Sequence, residues 1–346
     1  MNVIAGVAFH AIGAAFAALC YTPQKKVLQW SWQTYWLAQA FVCWFLLPII
    51  VAWITIPDLL VVLQKAPSEA MWKSFGLGMA YGIGGTAFGL TIRYLGFSLT
   101  YAISIGISCV VGTLLPPLVR GELGNVLQQP GSIWIVVGMV LGIIGITFCG
   151  MAGRFKELDL LKYKGTKDKN FSVAKGLPLS ILAGVLSALY GFSIDQGQPI
   201  ADIAYEHGAG GFQTNVVYLF SNTGAFLTTA LYCIFLHNKN KTWKEFKKIN
   251  SPKLPWNYLL AILTGMLWYS QFFFYGLGHV RMGAYKFTSW AIHMLMLVLF
   301  SMVAGLALKE WNQARRPTVI ILILAILILI TAVFSLTLGN SLTSES

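Results

Sequence analysis

The residues able to do chemistry in this chain sit inside runs that are otherwise apolar, and their spacing is helical. His10 lies in the middle of the first run, His293 lies about 13 Å into another at 1.5 Å per residue, and Asp195 comes late in a third. An imidazole titrates near neutrality, and burial can raise an aspartate toward it, so each of the three is a candidate proton carrier. The plainer alternative is a neutral imidazole bonded across helices, or, for Asp195, an ion pair with Lys286 near the outer surface.

A second set is neutral. Lys286, Trp290 and His293 stand at i, i+4 and i+7, with Ser289 beside them. Trp268, Gln271 and Tyr275 are spaced similarly, as are Asn215, Tyr218 and Asn222, and Tyr101, Ser104 and Ser108. Aromatic planes suit the CH faces of a sugar ring, and amides and hydroxyls suit its hydroxyls. Tyr101, Asn215, Tyr218, Asn222, Trp268, Gln271, Tyr275 and Trp290 are therefore the candidate substrate-binding residues. A phosphorylated or carboxylate solute would call for convergent Arg and Lys deep in the membrane. Any single one of these side chains could instead bond a neighbouring helix; four coherent stripes favour a pathway. Arg93, His279, Arg281 and Lys286 fall near the ends of apolar runs, where they serve as anchors or gates.

The elements that must position these groups follow from composition. The 346 residues are 57% hydrophobic and 10% charged, against about 45–50% and about 25% in soluble domains, and mean hydropathy is +0.69. Ten runs approach the roughly 20 residues a helix needs to cross hydrocarbon: 2–20, 34–56, 72–92, 97–119, 132–153, 176–198, 212–236, 256–278, 284–308 and 317–338. The first has no basic segment before it and no small-residue cleavage site after it, so it is kept as a span. The fold class expected is an all-α polytopic membrane protein.

The net charge of +12 raises the question of nucleic acid. Its distribution answers otherwise: 19 of the 24 Lys and Arg fall in the loops after odd-numbered spans. The positive-inside rule puts those loops in the cytoplasm and both termini outside, so the excess reads as topology. The basic loop "HNKNKTWKEFKK" at 237–248 suits contact with anionic lipid. Cys20, Cys43, Cys109, Cys149 and Cys233 occur singly with no His at metal spacing, so neither metal nor cofactor is expected.

The chain also echoes itself. A shift of 188 residues superposes Tyr81 on Tyr269, Arg93 on Arg281 and Glu122 on Glu310; near the start of each half, a shift of 170 lays "GVAFHAIGAAFAAL" on "GLPLSILAGVLSAL". Five spans per half make the halves inverted relative to each other. The expected organisation is a first five-helix repeat over 1–153, a cytoplasmic linker over 154–175 and a second repeat over 176–346. Gly78, Gly82, Gly85 and Gly89 share one helical face, and Gly138 and Gly142 repeat the device, for close helix approach. "GIGGTA" at 82–87 fits a dinucleotide pattern by letter, but no strand precedes it. No HxxxxD, GxSxG or HExxH motif is present, and short loops leave little room for a catalytic domain, which argues against an enzyme.

The blocks "FHAIGAAFAALCYTPQKKVLQWSWQT", "GLTIRYLGFS…GISCVVGTL", "WYSQFFFYGLGHVR" and "SWAIHM…GLALKEWNQARRPT" closely resemble the L-rhamnose–proton symporter family of the drug/metabolite transporter superfamily. The resemblance spans nearly the whole chain. It implies a ten-helix bacterial inner-membrane importer of L-rhamnose or a related sugar, driven by protons through alternating access. Within the matching blocks it carries over His10, Arg93, His279, Arg281, Trp290, His293 and Glu310. The chain departs from the family pattern in "GFSIDQGQP", where Asn and Lys are expected in place of Asp195 and Gln198, and near Lys286, where an acid is expected. A metabolite exporter or a sodium-coupled carrier of the same superfamily is the alternative, since the fold would serve either.

Overall fold

The computed structural model describes residues 2–164, 172–247 and 253–344. Backbone in hydrocarbon must pair its own polar groups, so each apolar run becomes a helix. Ten helical segments are long and apolar enough to cross a membrane: α1 (Val3–Lys26), α2 (Trp32–Thr55), α3 (Ser68–Ile92), α4 (Leu99–Val119), α5 (Ser132–Leu160), α6 (Val173–Gln196), α7 (Asn215–Asn240), α8 (Leu254–His279), α9 (Lys286–Ala307) and α10 (Arg316–Leu342). All ten overlap the runs read from hydropathy, and the described residues contain no strand.

Where the expected boundaries differ, local chemistry explains it. The helix carrying α5 continues to Lys164, because "RFKELDLLKYK" has no Gly or Pro to stop it and pairs Arg154 with Glu157 one turn on. The start of the expected linker is thus helical; its residues 165–171 lie outside the described residues. Helix continues past α3 to Leu95 and resumes at Phe97, broken only by Gly96 at φ 76°. A side chain there would be strained and would also overlap the Glu157 carboxylate.

The packing divides the chain into two compact units. Unit 1 comprises Met1–Ala18, Gly84–Phe192 and Gly278–Ser346. In it α5 lies along α10, and α4 packs on both α5 and α9. Gly138 admits Leu336, and the Ser335 hydroxyl donates to the Trp134 carbonyl at 2.8 Å. Gly142 instead faces Leu295 of α9, so the two α5 glycines serve different neighbours.

Unit 2 comprises Leu19–Ile83 and Ser193–Leu277. Here α7 packs along α2, and α3 meets α7 with almost no side chain between them: a Cβ on Gly78 would overlap the Ser221 carbonyl, and one on Gly224 the Phe75 carbonyl. Within α2 the segment Phe41–Leu46 winds as a π-helix. Pro48 follows it; proline brings no N–H for the Trp44 carbonyl and its ring crowds that group, and a wider turn relieves both. All five cysteines are buried and reduced, in keeping with small apolar residues.

A carboxylate from a distant loop caps α2. Glu245, in the short helix Trp243–Lys247 of the basic loop, accepts the Ser31 N–H at 2.7 Å, the Ser31 hydroxyl at 2.9 Å and the Thr34 hydroxyl at 2.6 Å. Ser31 is the N-cap and makes no cap bond with its own side chain, so the orphan donors of the first turn depend on Glu245. Replacing Glu245 with Ala is expected to cost about 1–3 kcal/mol, read as a lowered melting temperature in detergent. Asp159 plays the same part for α10, accepting the Arg315 N–H at 2.9 Å and the Thr318 hydroxyl at 2.7 Å.

Candidate functional site

Unit 1 gathers the histidines. Gly6 on α1 and Gly278 at the end of α8 let the two backbones touch: a Cβ on Gly278 would come within 2.9 Å of the His10 ring, and one on Gly6 within 3.1 Å of the Gly278 carbonyl. His10, fully buried in the middle of α1, is held there against the ring of His293 from α9, with centroids 5.9 Å apart at 70°. His279, the last residue of α8, is buried too and directly follows Gly278, whose backbone lies against the His10 ring. Three imidazoles, two of them from residues far apart in sequence, therefore share one dry region of unit 1.

The other unit 1 positions are engaged in packing. Trp290 donates its indole N–H to the Ser108 carbonyl at 3.0 Å, and its ring fills space left by Gly112 and Gly191 beside Tyr190. Tyr101 lies edge-on to Phe88 at 5.1 Å. The Arg281 guanidinium sits 4.9 Å over the Phe9 ring, a cation–π contact. Lys286 lies in the 3-10 turn Gly283–Thr288, and α-helical winding starts only at Ser289. The α-helical spacing that would stack Lys286 over Trp290 and His293 therefore does not extend back to it. Glu310 pairs with Lys156 at 3.8 Å. Arg93 falls in the last turn of helix Ser68–Leu95, and its side chain lies outside the described residues.

Unit 2 brings the α7 and α8 stripes together. The Tyr218 hydroxyl donates to the Phe272 carbonyl at 2.6 Å, against Gly276. Asn215 donates to the Thr55 hydroxyl at 2.9 Å. Those two polar groups link helices. Asn222, Gln271 and Tyr275 are buried; Asp195 is half-buried, 3.5 Å from the Gln196 amide.

Trp268 is the centre of an aromatic cluster that the stripes only partly revealed. Around it stand Trp44 at 5.1 Å, Tyr21 at 5.2 Å and Trp36 at 5.6 Å, with Tyr81 5.8 Å from Trp44. Tyr269 follows, 6.4 Å from Tyr218. Trp36, Gln39 and Trp44 were absent from the sequence-derived set, although "WSWQTYWLAQAFVCW" carries them at near-helical spacing. Tyr81 and Tyr269 are the positions that the 188-residue shift superposes.

Comparison with known proteins supplies the remaining finding. A family model described as L-rhamnose-proton symport protein matches residues 1–342. Curated relatives named L-rhamnose-proton symporter include one from Cronobacter sakazakii, 36% identical over 338 residues, covering 96% of this chain and 97% of the relative. Another, from Klebsiella pneumoniae subsp. pneumoniae, is 35% identical with the same coverage. A third, from Escherichia coli O1:K1 / APEC, is 34% identical over 331 residues, covering 94% of this chain and 95% of the relative.

Proposed function

The chain belongs to the L-rhamnose-proton symport protein family, and we propose that it imports L-rhamnose or a closely related sugar together with protons by alternating access. The observation that carries this reading is a family match running through all ten spans, 1–342, rather than through a shared core alone. The relatives bear a proton symporter's name, not that of an exporter or a sodium carrier. A symporter moves its solutes unchanged and is not an enzyme.

The repeat scheme belongs to this reading: 1–153 and 176–346 as inverted five-span halves joined by a cytoplasmic linker at 154–175, in the bacterial inner membrane with both termini outside. It is supported by the internal sequence echo and by the pairing of corresponding spans, α4 with α9, α5 with α10 and α2 with α7. Proton coupling falls to His10 and His293, with Asp195 the other candidate. Two imidazoles this close in a dry setting disfavour double protonation, so the pair takes up one proton at a time. Arg93, His279, Arg281 and Lys286 are the gating or anchoring charges. Sugar contact falls to the stripe residues taken unit by unit: in unit 1 Tyr101 and the ring of Trp290; in unit 2 Asn222, Trp268, Gln271 and Tyr275, beside Asn215 and Tyr218, whose polar groups also tie neighbouring helices.

Weakly buffered cells producing the chain should alkalinise their medium when L-rhamnose is added, and a protonophore should abolish the signal. With one proton per sugar, each unit of pH difference supports about tenfold accumulation. Absence of rhamnose accumulation under an inward proton gradient would overturn the reading.

A further inference from the structure

Unit 2 holds polar atoms that the fold leaves unused. The Gln39 side chain is fully buried, yet neither its amide nitrogen nor its oxygen has a hydrogen-bond partner among the described residues. The same is true of the indole N–H groups of Trp36 and Trp44 and of the Tyr269 hydroxyl. Buried polar groups are nearly always paired, and each unpaired one is costly. Elsewhere in this unit Tyr218, Asn215, Tyr35 and Thr264 all find partners, and Thr229 Oγ1 and His237 Nε2 on α7 are isolated exceptions. The orphaned donors and acceptors are concentrated around Trp268.

The backbone brings these groups together. Gly265 lets α2 press on α8, since a Cβ there would come within 2.6 Å of the Val42 Cβ and 3.0 Å of the Gln39 carbonyl. Trp268 and Tyr269 stand one turn further along α8, at i+3 and i+4 from Gly265, on the face that meets α2. Trp36 and Gln39 share a face of α2 by the same spacing. A straight α-helix would set Trp44 about 80° from Trp36, but the π-helical Phe41–Leu46 segment turns more slowly per residue, and both indoles pack on Trp268. π-Segments inside α-helices recur at functional sites.

We propose that Gln39, the indole N–H groups of Trp36 and Trp44, and the Tyr269 hydroxyl are sugar-binding groups, arrayed around Trp268 as the ring platform. The chemistry fits a 6-deoxyhexose. One amide offers a donor pair and an acceptor to adjacent hydroxyls, three further hydroxyl- or oxygen-directed groups surround it, and the indole faces meet the ring CH groups and the methyl. The neutrality of the set suits an uncharged solute. This inference rests on the proposed function, and it adds four residues that the helical stripes do not contain.

The test is L-rhamnose binding to the purified full-length protein by calorimetry, together with melting temperature with and without sugar. Gln39→Leu should weaken binding about 10- to 100-fold, as expected for removing buried hydrogen bonds to a ligand. It should leave the sugar-free melting temperature unchanged or raised, because an unpaired buried amide is replaced by an apolar group. Trp44→Phe, which removes one N–H and keeps an aromatic face, should weaken binding several-fold and serves if Gln39→Leu does not fold. Variants that bind within twofold of wild type overturn the inference while the rhamnose reading stands. A drop in the sugar-free melting temperature that fully accounts for the lost binding also overturns it, by making these residues structural. Wild-type protein that binds no rhamnose overturns the proposed function itself.

Discussion

Replacing His293 with alanine is expected to bring the L-rhamnose accumulation ratio down to about one, from about tenfold per pH unit in the wild type, while exchange of internal for external rhamnose persists. Net concentrative uptake requires a proton to be taken up and released in each cycle; exchange does not. His293 suits that task because it is buried and faces the His10 ring at 5.9 Å. Few groups titrate near neutrality, and inside a membrane such groups mark ion pathways. The measurement is radiolabelled uptake and counterflow in vesicles under an imposed pH gradient. Equal loss of uptake and exchange would instead make His293 a sugar-binding residue. Asp195→Asn run in parallel tests the other candidate carrier: whichever variant separates uptake from exchange holds the proton.

The second large effect concerns assembly. Gly78→Leu should prevent formation of a monodisperse protein, because its side chain would occupy the space of the Ser221 carbonyl and only separation of the two helices would relieve the overlap. Overpacking of a tight contact costs about 1–3 kcal/mol and occasionally more, and this contact is backbone to backbone, with Gly224 making the reciprocal approach to the Phe75 carbonyl. Gly76, two residues earlier on α3, has nothing within 4 Å of where its Cβ would be. Gly76→Leu is therefore the matched control and should yield normal amounts of folded protein by size-exclusion chromatography. Comparable yields from the two variants would show that the α3–α7 crossing tolerates separation.

The ten spans were readable because a bilayer imposes one simple demand: about twenty apolar residues without uncompensated charge. The buried histidines were readable for the complementary reason, that a titratable group in such a run is expensive and stands out. The glycine face of α3 was partly readable, since Gly78 and Gly82 both meet α7. What each polar stripe touches was not. Trp290 and Ser108, Tyr218 and Phe272, and Asn215 and Thr55 each satisfy the other. A helical wheel marks a face as polar without saying whether another helix already occupies it.

Gln39 illustrates the limit most sharply. In sequence it is one amide among tryptophans, and the π-helical turn after it moves Trp44 relative to the face that regular α-helical counting assigns. Only the packing of α2 on α8 at Gly265 reveals that its amide is buried without a partner, together with the indole N–H groups of Trp36 and Trp44 and the Tyr269 hydroxyl. Sequence alone determined the membrane class, the number of spans, the family resemblance and the rare titratable residues, because each is a local or compositional property of the chain. The tertiary structure decided which histidines face each other, which polar groups are already used in holding helices together, and which buried ones have no partner among the described residues. Those outcomes depend on contacts between segments far apart in the chain and on the register at which their backbones meet.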